Sequence, residues 1–284
     1  MGRIKGHEWQ TEFSDLMRGI AGAFLFGAPF LYTMEVWWKG NFTSPPRMML
    51  ILGMAYMALV LLNIKGGFRA EQPRSRTQIL VESAEGLAIA LFTATLSLTL
   101  LDIVHVETGI DAIMGRLITL SLPYSIGVGI ANNLLLRVGD DEADSDKKRG
   151  HPLRSTLSDA GAALLGAIVV GSSIAPTDEI PMISSSLEPT RLLLIMASSL
   201  LLSYIIVFEA NFGAQRQRRS QSGLFQGPIS ETVAAYLIAL AASAFMLWLF
   251  QVIRVGDPIN QWVSYIIVLG LPCTIGGAAG RLAV

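Results

Sequence analysis

The chain has 284 residues, of which 52% are hydrophobic and only 15% charged, and its mean hydropathy is +0.51. Soluble proteins carry about 25% charged residues, so this composition excludes an ordinary soluble domain and indicates a membrane protein. The formal net charge is −1. Its basic residues are scattered through loops, so we expect membrane lipids and not nucleic acid as partners.

Eight apolar stretches follow one another, each about as long as a helix needs to cross ~30 Å of hydrocarbon. They lie near 16–38, 47–65, 78–101, 115–137, 156–176, 191–212, 229–252 and 262–282. None shows the alternation of a membrane barrel strand. Because lipid offers the backbone no hydrogen-bond partners, the segments should be helices. The sequence predicts an all-α, polytopic membrane protein with eight transmembrane helices.

The chain also contains an internal duplication. Residues 121–127 (SLPYSIG) return as residues 270–276 (GLPCTIG), a shift of 149. Upstream of residue 212 the shift is 144. We therefore predict two four-span repeats, residues 1–137 and 155–284, joined by a charged cytoplasmic linker, residues 138–154. Four spans return a chain to its starting side, so the repeats should be parallel.

The distribution of basic residues predicts the orientation. If the N-terminus is cytoplasmic and the spans alternate, 16 of the 21 lysines and arginines face the cytoplasm. This positive-inside bias favours both termini inside, in the cytoplasmic (inner) membrane of a bacterium or archaeon. The repeats also suit a homodimer or higher homo-oligomer, which the sequence does not decide.

Duplication selects polar residues within the spans as candidates for an ion pathway. Glu82 and Glu231 lie near the cytoplasmic starts of spans three and seven, and Glu85 follows Glu82 by one helical turn. Glu35 and Glu179 lie at the outer ends of spans one and five. Charged groups in hydrocarbon are costly and often functional. The alternative for the first set is an interfacial first turn whose carboxylates reach water or pair with Arg74 or Arg76, and the alternative for the second set is a solvated rim.

The repeated prolines, Pro123 and Pro272, lie well inside spans four and eight. A proline there removes one backbone hydrogen bond and frees a carbonyl oxygen. In lipid that oxygen needs a partner, which could be the nearby hydroxyl of Ser125 or Thr274, water or an ion. The other interpretation is a kink that only shapes the bundle.

Two further groups of polar residues mark the cytoplasmic side. Asp15 and Asp159 each follow a serine at the start of a span, which predicts helix caps. A polar cytoplasmic mouth is predicted from residues at the inner span ends, with Glu209 opposite Arg281 as one pairing: Asn132, Asn133, Glu209 and Arg281.

The glycine-rich first span, residues 82–86 (ESAEG) and residues 122–129 (LPYSIGVG) resemble a prokaryotic family of eight-span integral membrane proteins of unknown function. The resemblance covers most of the chain. It implies no activity and no site residues.

The leading functional hypothesis is passage of a small inorganic ion, more specifically a cation, through a channel or a proton-linked transporter. The alternatives are a non-transporting membrane scaffold or sensor and, less favoured, a lipid-modifying membrane enzyme. The sequence has no GxxxxGK[ST], HExxH, CxxC or GxSxG motif, so we expect no enzyme activity and no cofactor. One cysteine, Cys273, excludes an intrachain disulfide, and the identity of any metal is left open.

Overall fold

The computed structural model describes residues 2–64, 75–145, 152–209 and 227–282, without the side chains of residues 2–8, 10, 132–145 and 152–158. Within these residues every regular element is a helix, which confirms the all-helical prediction. The first half of the chain contains α1 Gly2–Leu31, α2 Met34–Asn41, α3 Pro45–Asn63, α4 Arg76–Leu100 and α5 Ile110–Ser145. The second half contains α6 Pro152–Ile174, α7 Glu179–Ser186, α8 Pro189–Tyr204 with a π-helical continuation Ile205–Glu209, α9 Pro228–Leu249 and α10 Ile259–Leu282.

Six helices are long and apolar enough to cross a membrane by themselves, namely α3, α4, α5, α8, α9 and α10. The α1–α2 pair, bent by 83°, and the α6–α7 pair, bent by 89°, raise the number to eight if each pair is one span. The chain is therefore a multi-pass membrane protein. The predicted first span, 16–38, is wrong in one respect, because the helix ends at Leu31 and turns sharply into α2.

Local hydrogen bonds explain these two bends, which we call the elbows. The Trp37 indole N–H donates to the Leu31 carbonyl at 2.8 Å and the Thr33 hydroxyl donates to the Pro29 carbonyl at 2.9 Å. These bonds satisfy carbonyls at the end of α1 that would otherwise lack partners. In the second elbow Pro176 disfavours helical geometry at Ala175. The Thr177 hydroxyl there donates to the Ile174 carbonyl at 2.6 Å.

Helix α1 lies antiparallel along α5, which supports counting α1–α2 as one span. Gly22 of α1 touches Gly127 of α5, whereas Gly27 of α1 touches Tyr124. Because α5 is long enough to cross the bilayer, α1 must cross beside it. The same holds for α6 and α10, where Gly166 touches Gly276. We call the end of the bundle with the two elbows the elbow face and the other end the terminal face.

One close helix contact recurs at positions that the duplication relates. A methyl group at Gly22 would lie 2.5 Å from the Gly127 carbonyl oxygen, and one at Gly166 would lie 2.1 Å from that of Gly276. Only glycine permits such an approach, which is how small residues bring membrane helices together. The parallel arrangement of the repeats and the boundaries 1–137, 138–154 and 155–284 stay predictions. Helix α5 itself continues to Ser145, into the predicted linker.

Each half forms its own bundle around its last helix, α5 or α10. The two bundles meet along a seam where α1 packs against α10 and the π-helical segment and where α4 meets α8. At the elbow face Arg191 of α8 crosses this seam. Its guanidinium donates to the Thr99 carbonyl at 2.6 Å and lies 3.2 Å from the Asp102 carboxylate.

Candidate functional site

A pocket of about 520 Å³ lies between the two elbows. It is lined by residues 29 and 32–35 of the first half and by residues 173, 174 and 176–179 of the second half. These two sets are related by the shift of 144 found in the sequence. We call this cavity the elbow pocket. Its volume falls in the range of ligand-binding clefts, about 300–1,000 Å³.

Three carboxylates line the elbow pocket, those of Glu35, Asp178 and Glu179, and its lining contains no lysine, arginine or histidine among the residues that the structure describes. Glu35 and Asp178 are exposed, whereas Glu179 is only 7% exposed. The Glu179 carboxylate accepts a hydrogen bond from the Met34 amide, at the N-terminus of α2 in the other half, at 3.1 Å. That helix end compensates part of its charge. The structure thus brings the predicted pair Glu35 and Glu179 together and adds Asp178.

Tyr32, on the wall of the elbow pocket, was not predicted as a site residue. It is 2% exposed, and its hydroxyl donates to the Val268 carbonyl at 2.8 Å. Val268 stands four residues before Pro272, so this carbonyl is the one that the proline deprives of its helical N–H partner. A tyrosine from the other half therefore meets the freed carbonyl.

Neither hydroxyl near the two prolines donates to the carbonyl that its proline frees. Pro123 and Pro272 are both buried within their helices, as predicted. Thr274 donates to the Gly270 carbonyl at 2.6 Å. The Ser125 hydroxyl is fully buried and has no hydrogen-bond partner among the described residues. Buried hydroxyls without a partner are rare in folded proteins, and an ordered water is one usual explanation.

The three glutamates predicted near the cytoplasm occupy different environments on the terminal face. Glu231 forms an ion pair with Arg281, which is 1% exposed. Glu82, related to Glu231 by the duplication, is half-buried. Glu85 is exposed beside it. The alternative of pairing with an arginine thus holds for Glu231, although the partner comes from α10.

Among the residues predicted to form a cytoplasmic mouth, Glu209 accepts a hydrogen bond from the Tyr204 hydroxyl at 3.3 Å. The buried Arg281 guanidinium contacts Glu231. The side chains of Asn132 and Asn133 lie outside the described residues. The mouth as a unit, with its pairing of Glu209 to Arg281, stays a prediction.

The prediction that Asp15 and Asp159 cap helices is wrong. Helix α1 begins at Gly2 and α6 begins at Pro152, so both aspartates lie inside their helices. Polar residues before the apolar stretch extend each helix beyond the expected start. Asp15 instead forms a buried ion pair with Arg18 at 2.8 Å. Duplication did not select Arg18 because the related residue is Ala162.

Among the described residues no group of three or more histidine, cysteine, aspartate or glutamate side chains is arranged to hold a metal ion. The three carboxylates of the elbow pocket are therefore spread along its walls and do not converge on one point. Groups of one charge that line the same cavity attract an ion of the opposite charge through the field that they share.

No curated protein and no solved structure matches the chain. A family model matches residues 15–284, nearly the whole chain. On that match, with the helices described above, the chain belongs to the family described as "putative integral membrane protein (DUF2391)".

Proposed function

We propose that the protein lets a small cation cross the membrane and that the cation enters through the elbow pocket. The observation that carries this proposal is the charge of the pocket, whose lining, within the described part of the chain, has three carboxylates and no basic residue. A concave site with one sign of charge raises the local concentration of the opposite ion. Rings of acidic side chains serve this purpose at the mouths of cation channels.

The position of the pocket supports the proposal as well. It lies on the seam, and each half contributes one elbow. If the two halves are parallel repeats, their shared axis runs through this pocket, which is where a path between them would open. The distribution of basic residues favours cytoplasmic termini, so the elbow face would be the outer face.

The spread of the carboxylates fits passage better than tight storage of an ion. Conduction requires binding strong enough for entry and weak enough for release. Glu35 and Asp178 are exposed and offer such a weak, solvated field. We do not include Glu231 on the terminal face as a companion site, because Arg281 already neutralises its charge.

The test is cation flux into proteoliposomes for the double variant Glu35→Gln/Asp178→Asn. Asp178 makes no side-chain capping bond to α7 and both residues are exposed, so the fold should persist. Two unit charges, each worth at most about 1 kcal/mol at 4 Å in water, predict a fall in flux of about fivefold for one charge and up to about thirtyfold for both at low salt. The difference should shrink as ionic strength rises.

Glu107→Gln is the matched control, because Glu107 is an exposed carboxylate in the α4–α5 loop, outside the lining of the pocket. It should leave the flux unchanged. Equal flux from the double variant and the control, at every salt concentration, would remove the elbow pocket from the pathway.

A further inference from the structure

One backbone carbonyl next to the elbow pocket is held by a side chain that could release it. Pro272 has no N–H to offer the Val268 carbonyl, and the Tyr32 hydroxyl donates to that oxygen at 2.8 Å. Tyr32 also lines the pocket. A single phenol thus touches both the cavity and the interrupted helix behind it.

The arrangement exists in only one of the two halves. The residue related to Tyr32 is Pro176, which has no hydroxyl. The carbonyl related to that of Val268 belongs to Thr119, ahead of Pro123. The duplication therefore gives two interrupted helices, but tyrosine at only one elbow. This difference makes the Val268 side of the seam the better point of entry from the pocket.

Polar groups continue beyond Val268 into the bundle. Cys273 lies five residues further along α10, about 7.5 Å along the helix axis. It is fully buried, and so is Ser243 of α9. Cys273 is the single cysteine of the chain, so it reports on this place without any engineered label.

We infer that the Val268 carbonyl is the next contact of the cation after the elbow pocket and that Tyr32 covers it until its hydroxyl swings away. This inference rests on the proposed function. Carbonyl oxygens of interrupted helices coordinate cations in other membrane proteins because they replace hydration oxygens. In the closed state the Tyr32 hydroxyl donates a hydrogen bond to the Val268 carbonyl oxygen, so this buried oxygen keeps a partner.

The test is the rate at which aminoethyl methanethiosulfonate, a small cationic thiol reagent, labels Cys273 in proteoliposomes. Tyr32→Phe keeps the ring and removes the hydrogen bond. We expect labelling about tenfold faster than in the wild type, the factor that corresponds to one hydrogen bond of about 1.4 kcal/mol. Tyr56→Phe is the matched control, because the Tyr56 hydroxyl also donates to a backbone carbonyl, that of Leu80 at 3.0 Å, away from the pocket. It should label like the wild type.

A second variant, Pro272→Ala, supplies the missing N–H to the Val268 carbonyl. That oxygen would then be occupied within the helix and could not bind the cation. We therefore expect cation flux to fall several-fold, the effect of losing one polar contact. Equal labelling of Tyr32→Phe, Tyr56→Phe and the wild type would overturn the inference. The inference would also be overturned if Glu35→Gln/Asp178→Asn reduces the cation flux while Pro272→Ala leaves it at the wild-type level. Faster labelling of Tyr32→Phe in a protein that carries no cation would contradict the proposed function and leave Tyr32 as the cover of this carbonyl.

Discussion

Alanine at Gly166 tests the close contact between α6 and α10. A methyl group there would lie 2.1 Å from the Gly276 carbonyl oxygen and 3.1 Å from the Gly280 Cα. Carbon–oxygen contacts need about 3.3 Å, so the helices would have to separate by about 1 Å. Overpacking of this kind costs about 1–3 kcal/mol, which outweighs the helix propensity that alanine gains over glycine.

The same helix offers the control. A methyl group at Gly161 would find nothing within 4 Å, so Gly161→Ala should stabilise the protein by about 0.5–1 kcal/mol. The assay is the free energy of unfolding in mixed micelles, titrated with SDS. Both variants gain the same helix propensity, so they should differ by the overpacking cost alone, about 1–3 kcal/mol. Gly22→Ala should behave like Gly166→Ala, because its methyl group would lie 2.5 Å from the Gly127 carbonyl oxygen. Equal stability of Gly166→Ala and Gly161→Ala would refute the close helix contact.

Two further predictions concern stability in the same assay. Glu231→Gln leaves the buried Arg281 charge without its carboxylate and should cost about 3–5 kcal/mol, whereas the exposed Glu85→Gln should cost less than about 1 kcal/mol. A small effect of Glu231→Gln would mean that the pair is not buried in the membrane. Gln251 has a φ of 60° and Gly256 a φ of 109°, both in the left-handed region that favours glycine. Gln251→Gly should therefore stabilise the protein by about 1 kcal/mol, and Gly256→Ala should destabilise it by a similar amount. A destabilising Gln251→Gly would contradict the left-handed backbone at that position.

The spans were predictable because lipid imposes a local requirement. A segment that crosses hydrocarbon must be apolar over its own length, so α3, α4 and α8 are visible as runs of residues without reference to the rest of the chain. The duplication was equally visible. It placed Gly22 and Gly166 in corresponding positions, where the structure has the same close helix contact.

The elbows could not be read from composition, because residues 16–38 are predominantly apolar on both sides of the bend and the bend depends on the bond from Trp37 to Leu31. Tyr32 was not predictable as a site residue for a related reason. Its partner Val268 is 236 residues away, and nothing in the sequence around Tyr32 indicates that contact. Selecting residues that recur in both halves also excluded Tyr32, because the related residue is a proline.

The candidate site was predictable in part. Glu35 and Glu179 were selected as a pair at the outer span ends, and both line the elbow pocket. Their different burial was not predictable, because it arises from the contact of Glu179 with the α2 amide across the seam. Likewise Glu231 was selected, but its pairing with Arg281 required two helices to meet.

Cation flux through the purified wild-type protein is the most direct test of whether the protein lets a small cation cross the membrane. Proteoliposomes would be loaded with indicators for Na⁺, K⁺ and H⁺ and compared with protein-free vesicles. We expect at least one cation to enter above the protein-free rate, with reduced entry in Glu35→Gln/Asp178→Asn and unchanged entry in Glu107→Gln. A wild-type protein that is folded in the vesicles and passes none of these ions, with or without a membrane potential, would contradict it and favour a scaffold or sensor.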